Sequence, residues 1–531
     1  MNIKNKKILL LVLFISLLTC VRLFRSGYFS MQDDTQIFRL QQFDQCLKDG
    51  QIPCRFISSG GLGYGYPIYN YYPPFAYALA ETFHLLGFSL INSIKAIFIL
   101  GHLLAGLGMF LLASAFWGNY GALLSTTLYL FAPYRAVDAY VRGALSEFLA
   151  LSLLPFIFYF VKKKKTRFFV VFLTLLLLTH NLTSLVILGL LFIYFLFQKQ
   201  TKKLLLIFYS FLLSAFFLIP AVFEKNLVTL STMTQDYFDY RAHFVTLKQL
   251  FFDRSWGFGA SLWGPVDDMS FQIGWPHWLL FIVALLFTIK SKNHQNKILI
   301  FISSLVAVFC LFLTHNRSTF IWTNLPFMAY FQFPWRFLGP FVFILSFISG
   351  SLLLPFKKPQ IILSLLLILI IALNLSYFKE DIWFPSLTDQ EKLNSAELIR
   401  QSGAGLMDYW PNYSTNFPHQ FAPTQPSSLQ DITINDFNKN SHQAYLDITV
   451  KSPSAEITFP MVYFPNWQVC ENNKILLHSL TPDLGLITVN LSQGSHQLNL
   501  KLKNTPLRTI SNLISLLSLI GFSFYALKTK K

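Results

Sequence analysis

Twelve stretches of the chain are apolar for long enough to read as membrane-crossing helices, at about 8–24, 92–116, 119–132, 145–161, 167–180, 182–198, 203–222, 276–290, 297–314, 338–354, 360–376 and 509–527. The segment 75–88 is apolar too, but a thirteenth span would move the basic cluster at Lys162 to the opposite side, so it is read as a re-entrant or surface helix. Between these stretches the pattern changes twice. Ile37, Leu40, Phe43 and Leu47 recur at helical spacing and predict an amphipathic helix lying along a membrane surface. From about 430 to 508, alternation such as Ala444 to Val450, Ile475 to Leu477 and Leu498 to Leu502, broken by Pro, Gly and Asn, predicts a β-rich domain, with a sandwich as one form. The segment 380–430 is polar and irregular, with a helix expected within Thr388 to Gln401.

The fold class expected is therefore a polytopic α-helical membrane protein carrying an extracytoplasmic β-rich domain before its last helix. Its parts are a membrane region at 1–376 with a first outer loop at 25–91, an outer domain at 377–508 and a last helix and tail at 509–531. Composition agrees: of 531 residues, 53% are hydrophobic and only 13% charged. The formal net charge of +17 would suggest nucleic acid in a soluble chain, but the basic residues gather in short runs between apolar stretches. These are Lys4, Lys6 and Lys7; Lys162 to Lys165 with Arg167; Lys199, Lys202 and Lys203; Lys290, Lys292 and Lys297; Lys357 and Lys358; and Lys528, Lys530 and Lys531. None of these runs holds a carboxylate, so the positive-inside rule puts them and both termini in the cytoplasm and excludes nucleic acid as the partner. The first apolar run lacks a small-residue cleavage site before Arg22 and Arg25 and is read as a retained helix of a plasma-membrane protein. Of five cysteines, Cys46 and Cys54 fall on the outer side, where a disulfide and free thiols are both open readings.

The outer pieces then number five, at 25–91, 133–144, 223–275, 315–337 and 377–508, against short inner turns, so function is expected on the outer face. Asp33 and Asp34 open the amphipathic helix. One reading makes Asp33 a helix N-cap with Gln36 in a capping box, and the other makes a carboxylate of this pair a general base at the membrane interface. Cations stand at four helix exits: Arg135 and Arg142 with Asp138 between them, His180 with Asn181, His315 with Arg317, and Arg336 beside Trp335, together with Arg39 on the first-loop helix. Singly each reads as an interfacial anchor; together they suit a phosphate, which guanidinium forks and His or Asn donors bind well. Carboxylate base plus phosphate ligands fits transfer of a sugar from a lipid phosphate, through an oxocarbenium-like transition state. Tyr69, Tyr71 and Tyr72 either stack on sugar faces or form a packed aromatic loop.

Residues Gln32 to Gln36, Arg39, Lys48 to Gly50, Pro53, Arg55, Gly63 to Pro67, Asn70 to Pro74, Leu130 to Arg135, Tyr140 to Ala144, Leu178 to Asn181 and Gln332 to Phe337 form blocks that resemble bacterial membrane proteins labelled "6-pyruvoyl-tetrahydropterin synthase-related". Val462 to Trp467, with Gly485 and Gly494, is similar to the tail of related large membrane proteins. That family resembles the glycosyltransferases of class C, which use polyprenyl-phosphate sugars and keep an acidic motif in the first outer loop. The resemblance puts that acid at Asp33, with Asp34 as its neighbour, while Gln32 stands where family members often carry histidine. A pterin synthase would need clustered zinc-binding histidines, and the eleven here are scattered with no three at ligand spacing. No cofactor is required by this reading, although a divalent cation held by Asp33 and an outer-loop acid stays open. The expected partners are the bilayer, a polyprenyl-phosphate-linked sugar and an envelope glycan, lipid or protein acceptor. The competing classes are a lipid-linked-sugar transporter or flippase, which would be expected to show polar or broken helices near mid-membrane and repeat symmetry where this sequence clusters its ionisable residues at helix ends and shows no repeat, and a non-catalytic assembly protein.

Overall fold

The computed structural model describes residues 3–290, 294–405 and 408–528, so Lys292, Lys530 and Lys531 of the basic runs lie outside the described residues. The chain divides into two compact units. The first comprises residues up to Asp34, Gly87–Ile207 and Met233–Leu387, and the second Thr35–Leu86, Phe208–Thr232 and the residues from Thr388 onward.

The protein is a membrane protein by the length and composition of its helices, but the expectation of twelve spans is corrected. Among the described residues six helices are long and apolar enough to cross a bilayer: Leu90–Leu130, Leu145–Lys162, Asn296–Leu313, Pro334–Leu353, Pro359–Tyr377 and Pro506–Lys528. A seventh is reached if Thr201–Leu213 and Ala215–Phe223, bent by 81° at their junction, count as one. The shortfall has two physical sources. Two expected spans, 92–116 and 119–132, are one helical run broken only at Gly118, whose φ of 67° lies outside the helical range. Other apolar stretches do fold as helices yet stay short: Ile3–Leu18 has 16 residues, and Thr166–Leu177, Asn181–Phe197 and Trp275–Thr288 fall between 10 and 17.

In the first unit the long helix Leu90–Leu130 packs against Ile3–Leu18, Leu145–Lys162 and Leu338–Ser349. Small residues permit the close approach: a Cβ on Gly121 would collide with the Gly350 carbonyl, and one on Gly101 with the Phe148 ring. Polar groups inside this packing find backbone partners, as when Trp117 Nε1 and Ser125 Oγ both donate to the Phe347 carbonyl at 2.7 and 3.1 Å. After the first helix a short strand β1 (Tyr28–Phe29) pairs antiparallel with β2 (Trp383–Phe384), and Phe29 stacks on Trp383 with ring centroids 6.1 Å apart. Arg22 and Arg25 both reach Glu380 beside this ribbon. The ribbon therefore fixes where the chain carrying Asp33 leaves the helical bundle.

The second unit holds the β-rich domain. Strands β3 (Ile432–Lys439), β4 (Gln443–Val462), β5 (Trp467–Glu471), β6 (Lys474–Leu476), β7 (Ser479–Leu480) and β8 (Leu486–Leu502) form one antiparallel sheet in the order β3-β4-β8-β5-β6, with β7 also on β8. It is a single six-stranded sheet, which replaces the sandwich form. Alternation does decide its faces: Ala444, Leu446, Ile448 and Val450 are buried, and Leu446 lies opposite Leu498. The irregular segment contributes helices Asp389–Lys392, opened by a Thr388–Glu391 capping box, and Ser395–Gly403.

The helix at Gln36–Lys48 also belongs to this unit. Its apolar face is turned into protein and does not lie along a membrane surface: Ile37 and Leu40 are fully buried, and Phe43 meets the Tyr69 ring edge-on at 5.1 Å. Cys46 and Cys54 form a disulfide that closes the loop following this helix.

Candidate active site

Among the positions that the sequence suggested, the first unit brings Asp33, Asp138, Arg142, His180 and Arg336 together around Glu147. After Leu130 the chain makes a short helical turn, Pro133–Ala136, and then a wide π-helical turn, Val137–Arg142, a geometry that re-aims side chains at functional sites. This turn sends the Arg142 guanidinium inward. Its Nη1 donates to Asp138 Oδ1 at 2.5 Å and to Glu147 Oε2 at 3.0 Å, and its charge lies over the Trp335 ring at 4.6 Å. Tyr134 donates to the other Glu147 oxygen at 2.8 Å, and Arg336 Nε stands 3.4 Å from Glu147 Oε2. Arg336 is oriented in turn by the Phe331 carbonyl at 2.8 Å and Gln332 Oε1 at 3.0 Å. Gln332 adopts a φ of 62° with ψ of −50°, a strained backbone for a residue with a Cβ, which turns the Phe331–Arg336 corner toward the cluster.

Asp33 approaches from the outside of the same turn. The Gln32 and Asp33 N–H groups donate to the Val141 and Arg142 carbonyls at 3.0 and 2.8 Å, so the backbone of 32–33 is stitched to 141–142. Gly143 makes this possible, since its φ is 64° and a Cβ there would run into the Met31 side chain. Gln32 anchors the strand further through its side-chain amide to the Phe258 and Gly259 carbonyls. The Asp33 carboxylate is exposed, and its charge acts on Arg142 and Arg336. Burial, with the Asp33 charge second, holds the Tyr237 hydroxyl above its usual value. Asp34 is half-buried. The helix begins at Gln36 with Thr35 at its N-cap, so Asp33 is not the capping residue that the first reading offered.

The buried part of the cluster sets two guanidiniums, Arg142 and Arg336, against the Glu147 carboxylate, a positive excess that the exposed Asp33 charge offsets from outside. Burial, and next the Glu147 charge, push the Asp138 carboxyl up to about 8 against the opposing pull of Arg142, so Asp138 holds a proton at neutral pH. Arg142 and Arg336 then face Glu147 inside and Asp33 at the surface. A cavity of about 20 Å³, lined among others by Glu147, His180 and Arg336, adjoins the cluster.

Other suggested residues have different surroundings. Arg135 is buried between the Tyr129 and Phe148 rings and donates to Ser152 Oγ at 3.2 Å, which corrects its reading as a phosphate ligand. His180 and His315 each cap the helix that follows, accepting N–H bonds at Nδ1 from Thr183 at 3.3 Å and Arg317 at 3.2 Å, so the repeated His-Asn pair is a capping device. Asn181 and Arg317 are exposed beside them. Arg39 belongs to the second unit, where it lies over the Tyr72 ring at 4.7 Å. Tyr69 and Tyr71 are buried there, donating to the Arg39 and Glu224 carbonyls, and Tyr71 stacks on Tyr409. These rings form the packed loop, and the sugar-stacking reading is corrected for Tyr69, Tyr71 and the covered face of Tyr72. Glu147, Tyr134 and Gly143 are the central residues that the sequence reading left out of the site. The signal for Glu147 was present, as a lone acid opening an apolar helix five residues after Arg142. Among the described residues no group of three or more His, Cys, Asp or Glu is arranged to hold a metal ion.

Two outcomes follow from this geometry. Unfolded Asp138 releases its proton near 3.8, so the folded carboxyl contributes stability in full below about pH 4 and loses it as pH rises through about 8. Thermal unfolding in detergent between those limits should therefore show a midpoint that falls with rising pH in wild type and much less in Asp138→Asn; equal slopes contradict the protonated state. Gly143→Ala should lower the midpoint by an amount matching about 2 kcal/mol, with part restored when Met31→Ala removes the collision. Failure of the second change to restore anything would show that the 31–33 segment does not depend on this contact.

Comparison of the chain with protein-family models, curated proteins and solved structures found no match.

Proposed function

We propose that this membrane protein is a glycosyltransferase that moves a sugar from a polyprenyl-phosphate donor to a cell-envelope glycan, lipid or protein on the outer face of the plasma membrane, with both termini in the cytoplasm. The observation that carries this reading is the exposed Asp33 carboxylate stitched through backbone bonds to the turn whose side chain, Arg142, organises a buried pair of arginines around Glu147. A fixed base beside guanidinium groups is what the reaction needs. The acceptor hydroxyl attacks the anomeric carbon and gives its proton to Asp33, while the bond from that carbon to the phosphate oxygen breaks. The leaving lipid phosphate takes the electron pair and is received by Arg336, the more exposed of the two guanidiniums at 15% against 6% for Arg142. Glu147 and Gln332 position Arg336, and Arg142 lowers the cost of placing a second anion there.

One observation favours a second reading, a non-catalytic envelope assembly protein: the Arg142 and Arg336 guanidiniums are already engaged by protein groups, namely Asp138, Glu147, the Phe331 carbonyl and Gln332. The two readings part at Asp33, whose charge the assembly role does not need. Asp33→Asn should reduce sugar transfer in membranes by at least about 100-fold with expression and thermal stability unchanged. Arg336→Ala should raise the apparent KM for the donor by roughly tenfold. Transfer that is unaffected by Asp33→Asn removes the catalytic assignment and leaves the assembly role.

A further inference from the structure

The second unit contains a cluster of buried charges with an unbalanced sum. Among the described residues Glu224 is its only carboxylate, and it accepts from Arg508 Nε at 2.8 Å, from Asn70 Nδ2 at 2.9 Å and from Thr505 Oγ1 at 2.8 Å. Arg55 extends the network, donating to Asn70 Oδ1 at 3.0 Å, the Phe216 carbonyl at 2.9 Å and Asn512 Oδ1 at 2.8 Å. Both guanidiniums are more than nine-tenths buried, at 4% exposure for Arg55 and 1% for Arg508. Each is close enough for the Arg508 charge to oppose that of Arg55. Among the described residues, Arg55 Nε and Arg508 Nη2 are buried donors with no hydrogen-bond partner. A buried N–H left unpaired on a cation is costly, and two arginines against one glutamate leave the network one positive charge in excess.

These two arginines line one cavity, of about 130 Å³. Its remaining walls are the Gly50–Pro53 loop, closed at its base by the Cys46–Cys54 disulfide, and His442, Lys503 and Asn504 at the end of the sheet. Lys503 adds a further exposed cation at the rim, and the Asp49 carboxylate nearby is engaged by the Ser441 N–H and the Gln45 amide. That volume is enough for one tetrahedral anion with its oxygens at the guanidinium donors.

The geometry points to an anion site that takes a single phosphate group, held by Arg55 and Arg508 with Lys503 at its mouth. Arg508 lies in the first turn of the terminal apolar helix Pro506–Lys528, and Ile52 on the rim is 77% exposed. A phospholipid headgroup and free phosphate share the chemistry that this site recognises: the polar walls suit either, and the exposed Ile52 and the apolar helix that starts at Pro506 suit the lipid. The site is independent of the transferase reading, since it needs neither Asp33 nor the Glu147 cluster.

The test uses the full chain. Purified in neutral detergent it is equilibrated with radiolabelled inorganic phosphate, and in parallel reconstituted into nanodiscs of phosphatidylcholine with or without phosphatidylglycerol, with retained lipid counted by native mass spectrometry. One saturable phosphate per chain, or one retained phosphatidylglycerol that phosphate does not displace, supports the site and identifies the source as free ion or lipid. Arg55→Gln should weaken that binding by about tenfold and Lys503→Gln, an exposed position that leaves the buried network intact, by roughly threefold. Should Arg55→Gln fail to fold, Lys503→Gln still decides. No saturable phosphate and no retained anionic lipid in wild type overturns the proposal, as does binding that Lys503→Gln leaves unchanged.

Discussion

The first unit depends on how one buried cation, Arg142, is neutralised. A guanidinium taken out of water stays folded inside only when carboxylates and hydrogen bonds replace its hydration, and a single partner would leave donors unmet. Asp138 and Glu147 both reach it, the first from the same turn and the second from the opening of Leu145–Lys162. Arg336, from the corner that starts the buried helix Leu338–Ser349, shares Glu147 with it. Three segments that are distant in the chain are therefore held in one register by charge. The turn that points the Arg142 side chain inward necessarily presents its carbonyls outward, and those carbonyls take the N–H groups of Gln32 and Asp33. An exposed carboxylate at a fixed place is thus a consequence of satisfying a buried guanidinium.

The second unit repeats the theme with a different balance. Glu224 stands to Arg508 and Arg55 as Glu147 stands to Arg142 and Arg336, but no counterpart of Asp138 completes it among the hydrogen bonds of those two arginines. Among the described residues both clusters keep a buried donor without a hydrogen-bond partner, Arg336 Nε in the first and Arg55 Nε and Arg508 Nη2 in the second, but the second lies beside the larger cavity, about 130 Å³ against about 20 Å³.

Hydrophobic patterning located every helix expected across the bundle, yet it misjudged their number as spans. Apolar residues that face lipid and those that face protein look alike in a sequence, and short helices such as Thr166–Leu177 carry the same composition as crossing ones. Alternation placed the buried face of β4 correctly, whereas the count of sheets depended on long-range pairing that no local pattern encodes. In the site, Arg142, His180 and Arg336 were legible because cations at helix exits are rare and conspicuous. Arg135 was conspicuous for the same reason and lies instead between aromatic rings. Tyr69 and Tyr71 misled because an aromatic cluster reads identically whether its faces are open or packed. The partnership of Arg55 with Arg508 was out of reach altogether, since the two come from opposite ends of the chain.

The central claim is that a lipid-borne phosphate meets Arg336 on the open side of the Arg142–Glu147 cluster while Asp33 faces the sugar. Cryo-electron microscopy of the full chain bound to a non-transferable polyprenyl-phosphonate sugar analogue tests it most directly. The account predicts phosphonate density within hydrogen-bond distance of the Arg336 guanidinium and the sugar beside the Asp33 carboxylate. Density for the analogue bound anywhere else on the protein, with Asp33 and Arg336 untouched, would contradict it.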